Sequence, residues 1–549
     1  MSGSRTRGRL RLLVLLLAIV VAVLAGVSLV SQAPKPSPPR VVQSLFQDDK
    51  LLLYQPDTPA GTAEVQRTLL TLRSLGVDRL RLTIEWAYIA PTPVPRGFDP
   101  TDPGSYAPSA WAPYDRIDRL AAADGLGVDF DVTGPGPLWA MQPGAPNLTT
   151  APLYEPSAAA FGQFVTAVGR RYDGHYRPSS GRLAGATAPL PRVSFWSIWN
   201  EPNQPGWLAP QWSPNGTAKS PALYRRLVDA AYAALGRTGH GRDTILIGEL
   251  APEGCVAGSP CIYSAAERPI PPIPFLQALY CVGPDYEPLR GAAATAAGCS
   301  ATSSGFVRDN PGLFDATGFA HHPYSFLTAP NVSLPEASFV PLADLGRLET
   351  GLDRVFAAYG SSRRIPLYLD EYGYETSPPR TKPPLTTLSE QSLYLNEAEY
   401  MAWQDPRVRA LSQFQLQDSA PDYAYPPGTI RYWSTFQTGL EFLGGAPKPS
   451  LDSYRLPIYL PDTQATPGQK LLVWGMLRLA PNRTRQTARL QWRAAKGAYR
   501  TIATVTTTDP SGFLTVHVAP PGSGAIRLSW TSTGGHTYFS RTVNVTVAG

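Results

Sequence analysis

Two rhythms of apolar and polar residues divide this chain. From about residue 41 to 456, runs that alternate with the strand period of two are interleaved with longer stretches whose apolar residues recur every three to four positions. A first strand is expected within 41–54. Residues 62–75 (TAEVQRTLLTLRSL) carry a helical stripe that stops at Gly76, and 77–86 (VDRLRLTIEW) alternate as a strand does. The rhythm continues with a helix at 114–123, a strand at 128–133, a helix at 157–172 and a β-branched, aromatic strand from Val193 (VSFWSIW). Helices over 221–236, 273–280, 342–359 and 388–403 then interleave with strands at 244–249, 319–324, 366–371 and 408–417, and a weaker helical turn lies near Ser450. Strict alternation predicts an α/β fold with a parallel sheet. Eight such units predict a closed (β/α)8 barrel, a TIM barrel, with loop insertions. An open doubly wound sheet is the alternative, and the lack of a G-x-G-x-x-G at any strand–helix junction counts against it.

From Pro457 the helical period disappears. Short alternating runs (LLVW from 471, ARLQW from 488, IATVT from 502, LTVHV from 514, IRLSW from 526) are separated by Pro, Gly and Asp-Ser turns. This pattern predicts a small all-β sandwich, immunoglobulin-like in outline, over 457–549. At the other end, Arg5, Arg7, Arg9 and Arg11 precede an uncharged apolar run from Leu12 to Val30, followed by a stiff proline-rich spacer over 33–40. Residues 1–32 read either as a signal anchor, holding the protein at the outer side of the membrane, or as a cleaved signal peptide of a secreted one.

Charge changes the picture only when divided. Residues 1–40 hold six Lys/Arg and no acid, which accounts for the whole formal +6. The expected barrel, 41–456, carries 32 Lys/Arg against 40 Asp/Glu, and 457–549 carries ten against two. An acidic body argues against a nucleic-acid binder, while the basic C-terminal domain offers contacts to anionic cell-envelope polymers. Four cysteines (Cys255, Cys261, Cys281, Cys299) fall close together in what reads as an exported chain, so disulfides are expected. Three connectivities are open; 255–261 and 281–299 close the shortest loops. The spacing is too wide for a metal knuckle.

Candidate chemistry gathers at strand ends. The run SFWSIWNEPN (194–203) switches from buried strand to Asn200-Glu201-Pro202, and Pro202 ends the pairing. Three other strands end in a glutamate, at Glu85, Glu249 and Glu371; the last sits in LYLDEYGY, where alternation turns its neighbour Asp370 to the opposite face. The W-x-x-x-N-E-P pattern and the strand ending in Glu371 resemble the acid/base and nucleophile motifs on the fourth and seventh strands of clan A glycoside hydrolases, in particular the cellulase-like family 5 and the xylosidase-like family 39. The resemblance covers 41–456 in architecture and these motifs in detail.

The resemblance implies a retaining hydrolase of O-glycosidic bonds in a poly- or oligosaccharide, with Glu201 as acid/base and Glu371 as nucleophile. It also implies roles around the carbohydrate substrate. Arg81 would keep the nucleophile ionised, unless it is a barrel-wall salt bridge, and Asn200 would bond the sugar 2-hydroxyl if the chain leaves strand geometry there. His322 and Tyr324 match the sixth-strand H-x-Y pattern, with the tyrosine donating to the nucleophile. Trp139 resembles a third-strand loop residue of family 39, or is a packed loop aromatic. The clan's eighth-strand tryptophan is replaced by Gln415 and Gln417, with Trp433 the nearest substitute. No metal or organic cofactor is implied. That departure keeps open a catalytically weak carbohydrate-binding protein; a transglycosylase would use the same intermediate.

Overall fold

The computed structural model describes residues 42–179, 187–256, 258–381, 386–481 and 484–548. The apolar segment and spacer expected within 1–40 lie outside them. Among the described residues no helix is long and apolar enough to cross a membrane.

Eight parallel strands close into a barrel: β1 (Gln43–Gln47), β2 (Arg79–Glu85), β3 (Gly127–Thr133), β4 (Phe195–Ile198), β5 (Thr244–Leu250), β6 (Gly318–His321), β7 (Leu367–Leu369) and β8 (Val408–Phe414). Neighbours in sequence are neighbours in the sheet, and β1 closes on β8 with Gln43 opposite Ala410 and Gln47 opposite Phe414. Closure rules out the open doubly wound sheet. A helix follows each strand: α1 (Pro59–Leu75), α2 (Pro108–Ala123), α3 (Ala158–Arg171), α4 (Ser220–Arg237), α5 (Pro272–Leu279), α6 (Leu345–Ala358), α7 (Leu388–Gln404) and α8 (Pro449–Arg455), the last being the turn expected near Ser450.

Local chemistry sets the helix ends. Thr58 Oγ1 accepts from the amide of Gly61 at 3.1 Å, Pro59 fills a first-turn position that needs no donor, and Gly76 closes α1 at φ +81°. Periodicity alone starts this helix at 62 because its first turn, Pro-Ala-Gly, has no apolar stripe. Val65, Leu69, Leu72 and Leu75 form the buried face.

Inside the barrel, Phe195, Leu246, Ala320 and Tyr368 form a small apolar layer, with the Arg79 guanidinium 4.2 Å from the Phe195 ring. Beyond it toward the strand ends the interior becomes polar, beginning with Asp129, which accepts from Ser197 Oγ at 3.3 Å. The β5–β6 connection is the long insertion. It carries α5 and both disulfides, Cys255–Cys261 and Cys281–Cys299, the pairing with the shortest loops. Two disulfides fit a protein of an oxidising, extracellular compartment.

After α8 the chain is all β: β9 (Ile458–Tyr459), β10 (Gln464–Ala465), β11 (Leu471–Met476), β12 (Gln486–Arg493), β13 (Arg500–Thr507), β14 (Phe513–Val518), β15 (Gly524–Thr531), β16 (Thr537–Phe539) and β17 (Val543–Val547). A sheet β9-β11-β14 faces a larger one, β10-β17-β15-β12-β13 with β16 on β15, around Val473, Leu490, Ile526 and Leu528. The sandwich is fused to the barrel through α7. Trp474, Met476 and Phe513 join the barrel's own apolar core, and the Trp474 ring lies 5.8 Å from that of Tyr400. The enclosed Arg478 guanidinium donates to Glu399 Oε1 at 2.6 Å, to the Tyr454 carbonyl at 2.7 Å, and to Ser44 on β1.

Candidate active site

Six strands, β2 to β7, deliver one guanidinium, one imidazole and five carboxyl groups to the carboxyl-terminal end of the barrel, and breaks in strand geometry aim several of them. β4 ends at Ile198, after which Trp199 and Glu201 take left-handed φ values of +65° and +37°. Such backbone is costly for side chains other than glycine. Here it turns Asn200 into the barrel and Glu201 up beside it. On β5 the register against β6 breaks between Ile247 and Leu250, with Gly248 at φ +107° and Glu249 at +52°. This bulge rotates Glu249 inward. A Cβ on Gly248 would lie 2.5 Å from the Phe319 ring, so only glycine fits.

Arg81 is the hub. Its Nη2 donates to Glu249 Oε2 and Asn200 Oδ1, both at 2.8 Å, and to Asp131 Oδ2 at 3.2 Å. Nη1 donates to Gln47 Oε1 at 2.7 Å and to Glu371 Oε2 at 3.2 Å, and Nε lies 3.3 Å from Asp370 Oδ2. His322 is the second hub. Nδ1 lies 3.0 Å from Glu201 Oε1 and 3.9 Å from Glu371 Oε2, while Nε2 lies 3.3 Å from Glu249 Oε2 and 3.6 Å from Asp370 Oδ1. Tyr324 donates its hydroxyl proton to Glu371 Oε1 at 2.9 Å.

Exposure separates the carboxyls by kind. The side chains of Asp131, Glu249 and Asp370 are completely enclosed, whereas 19% of Glu201 and 14% of Glu371 remain exposed. Oxygens of these two lie within 4.8 Å of each other and of His322 Nδ1. Both line a cavity of about 590 Å³, together with Tyr324, Phe326, Phe436, Tyr263 and Glu253.

Charge balance follows from burial and neighbours. Burial opposes charge on His322, but Glu371, Glu201, Glu249 and Asp370 outweigh it and hold the imidazole protonated well above its ordinary range. Burial likewise disfavours ionised Glu249, and Arg81 and His322 reverse the sign, bringing it down to about 2. Asp131 and Asp370 are driven well above the carboxylate range by burial, with Glu249 adding to it. Glu371 is raised by burial and by Glu201, and pulled back by His322 and Arg81. Glu201, His322 and Glu371, and Glu249, His322 and Asp370, are close enough to ligate an ion. An imidazolium facing carboxylates on both sides has no lone pair to give, however, and the positive charge here is already the protein's own.

These shifts set a pH dependence of stability. A carboxyl whose folded pKa is raised takes up a proton on folding, so its contribution is lost as pH rises through the folded value. Asp48 (about 6) and Asp129 (about 7), both raised chiefly by burial, act this way, as do Asp131 and Asp370. His322, also raised, contributes fully below its unfolded value and loses that contribution as pH rises through its folded one. His321, which burial pushes down to about 4, works oppositely but only below about pH 6.5. Glu249 stabilises above about pH 4.5 and loses this as pH falls toward 2. The urea midpoint is therefore expected to fall between pH 6.5 and 9 by at least about 1 kcal/mol of stability, each pKa unit being worth about 1.4 kcal/mol. A midpoint that rises over this interval contradicts the charge assignment.

The structure brings Glu201, Glu371, Arg81, Asn200, His322 and Tyr324 into one cluster. It corrects the expectation for Asp370, which shares Arg81 and His322 with Glu371 instead of facing away. β7 pairs only through Leu369, so period-two alternation does not extend to 370 and 371. The other two strand-end glutamates part ways: Glu249 is enclosed beneath the pair, and Glu85 accepts from Tyr54 at 3.0 Å outside the cavity lining. The two tryptophans are also not among the cavity-lining residues. Trp139 donates to the Pro91 carbonyl at 3.2 Å and packs edge-on to Trp86; Trp433 is buried and donates to Thr381 Oγ1 at 3.2 Å. Phe436, edge-on to Phe414 at 5.2 Å, reaches the cavity instead. Phe436, Phe326, Tyr263 and Glu253 all sit in loops without periodicity, which left no sequence signal.

No family model matches the chain, and no curated protein does. Its structure is similar to several solved ones. A β-glucuronidase of Bacteroides uniformis aligns with TM-score 0.41 and 10% identity, over 93% of this chain and 46% of the glucuronidase, so the chain spans about half the length of that protein. A glucosidase from Croceicoccus marinus aligns with TM-score 0.44 and 12% identity over 92% and 98% of the two chains. A family 51 α-L-arabinofuranosidase from Bifidobacterium longum aligns with TM-score 0.41 and 12% identity over 88% and 95%.

Proposed function

We propose that this chain is a retaining glycoside hydrolase acting on O-glycosidic bonds of a poly- or oligosaccharide, with Glu371 as nucleophile and Glu201 as acid/base. The observation that carries the reading is the pair of partly exposed carboxyls from β4 and β7, with oxygens within 4.8 Å. Retaining enzymes hold their two carboxyl groups about 5–5.5 Å apart, inverting ones about 6.5–9.5 Å apart to admit a water. The cavity above them is of a size that takes a sugar unit or two.

In the first step, Glu371 attacks the anomeric carbon and forms a glycosyl ester, while the leaving oxygen takes the proton of Glu201. In the second, Glu201 accepts a proton from water, which attacks the same carbon and releases Glu371 as carboxylate. Tyr324 and Arg81 hold the two oxygens of the nucleophile, and His322 orients Glu201. Because Asn200 Oδ1 accepts from Arg81, its amide Nδ2 is turned to donate to the sugar 2-hydroxyl.

The test is the stereochemistry of the first product. Wild-type protein is mixed with a panel of aryl glycosides, and the anomeric signal of the released sugar is followed by proton NMR before mutarotation. Retention is expected; an inverted first product removes Glu371 as nucleophile.

A further inference from the structure

The cavity contains a carboxylate that the mechanism does not use. Glu253 lies in the loop after β5, half-buried and lining the same cavity as Glu201 and Glu371. Its backbone is fixed from several directions. The Glu253 carbonyl accepts from Gln204 Nε2 at 3.0 Å, and the amide of Cys255 donates to the Pro269 carbonyl at 2.9 Å. The Cys255–Cys261 disulfide closes the loop just beyond. Gly254 is pressed against the chain at Ile270 and Pro271, where a Cβ would approach backbone atoms to 2.5–2.7 Å. The side chain is the contrast: its carboxylate has no hydrogen-bond or ion-pair partner among the described residues. Burial alone pushes its pKa above the ordinary value.

A rigid backbone presenting a partly desolvated acceptor with no protein partner leaves that group to water, which a donor on the ligand replaces. The surrounding charge narrows the ligand further. The cavity lining holds four glutamates, at 201, 253, 371 and 375, and among the described lining residues there is no lysine or arginine. Three of the four have a cation from outside the lining: Arg380 for Glu375, Arg81 for Glu371 and His322 for Glu201; Glu253 has none among the described residues. The lining also includes Tyr263, Phe326 and Phe436, aromatic faces on which a sugar ring can stack, and the apolar Leu327.

We propose that Glu253 is a specificity-determining residue that accepts hydrogen bonds from donor groups of the bound sugar, hydroxyl or ammonium, so that the site takes neutral or amino sugars and rejects uronic acids. The inference rests on the glycosidase reading and deepens it. A carboxylate on the sugar would meet Glu253 without a compensating cation beside it, since Arg81 and His322 are already engaged by Glu371 and Glu201. Two like charges brought within about 6 Å of each other near a protein surface discriminate by about 100-fold.

Two readouts test it on the whole protein. The first is kcat/KM on matched 4-nitrophenyl glycosides of neutral hexoses and pentoses, of glucosamine, and of glucuronic and galacturonic acids, for wild type and Glu253→Gln. The second is calorimetric titration of the corresponding methyl glycosides into Glu371→Ala and into Glu371→Ala with Glu253→Gln. The expected result is a preference of at least about 100-fold for the neutral or amino member over its uronide. Glu253→Gln should raise KM for the preferred sugar about tenfold, with kcat changed less, and narrow the gap to the uronide; a merely structural role would lower the thermal midpoint and depress all substrates alike. A larger loss on the glucosaminide than on the glucoside identifies an ammonium as the donor; the reverse identifies a hydroxyl. A uronide that is the best substrate, or a Glu253→Gln protein with unchanged KM, overturns the proposal. If titration shows neutral sugars bound through Glu253 and nothing is hydrolysed, the specificity assignment stands and the hydrolase reading falls. If nothing is bound or turned over, both fall.

Discussion

Glu371→Ala is expected to lose at least about 10⁴-fold in kcat on any glycoside the wild type cleaves, and to regain turnover in azide. Members of a covalent catalytic unit typically cost 10⁴- to 10⁶-fold when removed singly, because the remaining groups have no step left to assist. Such a loss corresponds to about 5–8 kcal/mol of barrier. The substitution opens space beside Tyr324 and Arg81, both of which donate to the missing carboxylate. A small anion is attracted there and can attack the anomeric carbon from the side Glu371 occupied. The product would be the glycosyl azide of inverted configuration, formed in one displacement with Glu201 as acid. Glu201→Ala should behave differently. Its loss on activated aryl glycosides should be smaller, since a good leaving group needs little protonation, and azide should then give the retained glycosyl azide by intercepting the ester on Glu371. Turnover that survives Glu371→Ala in a folded protein, checked by circular dichroism, would remove the seventh strand from the mechanism.

The barrel was legible because its signal is repeated eight times and each repeat is local. A stripe such as Val65, Leu69, Leu72 and Leu75 must bury its face, and Gly76 must end it, whatever the rest of the chain does. Glu201 and Glu371 were legible because each follows an apolar strand abruptly, and the carboxyl ends of barrel strands are where polar groups meet a ligand. What failed was alternation carried past the last ladder hydrogen bond. Asp370 faces Arg81 because β7 has ended, and Asn200 does so because Trp199 has left the extended region. The inward turn of Glu249 depends on a bulge, which no periodicity announces. The cavity walls were illegible for a further reason. Phe436 and Tyr263 come to line the same cavity as Glu201 and Glu371 only through loops of irregular chain, whereas Trp139 and Trp433, the more conspicuous aromatics, are tied to Pro91 and Thr381.

Arg81→Met is the substitution expected to affect both stability and chemistry, with separable signs. One guanidinium, wholly enclosed, touches Asp131, Glu249, Asp370 and Glu371. Removing a cation from a buried pair typically costs about 3–5 kcal/mol because the partner stays behind uncompensated. Here Glu249 is the main casualty, since Arg81 leads the forces that hold it ionised against burial. The lower urea midpoint of Arg81→Met should therefore recover partly when Glu249→Gln is added, because the stranded charge is gone. The chemical consequence runs through Glu371. Burial already raises its pKa, and His322, Arg81 and the hydrogen bond from Tyr324 pull it back. Without Arg81, Glu371 should ionise at higher pH. An adjacent guanidinium is worth about 1–3 pKa units to a carboxylate. The acid limb of kcat/KM, which reports free-enzyme ionisations, should move upward by that amount, costing about 10- to 10³-fold below the limb and much less above it. Arg81→Lys keeps the charge and should keep most of the limb's position, but a point charge on a flexible stem cannot serve four acids at once, so part of the stability loss should remain. If Arg81→Met lowers the urea midpoint and leaves the acid limb where it was, Arg81 is a strut of the barrel wall and has no electrostatic hold on Glu371.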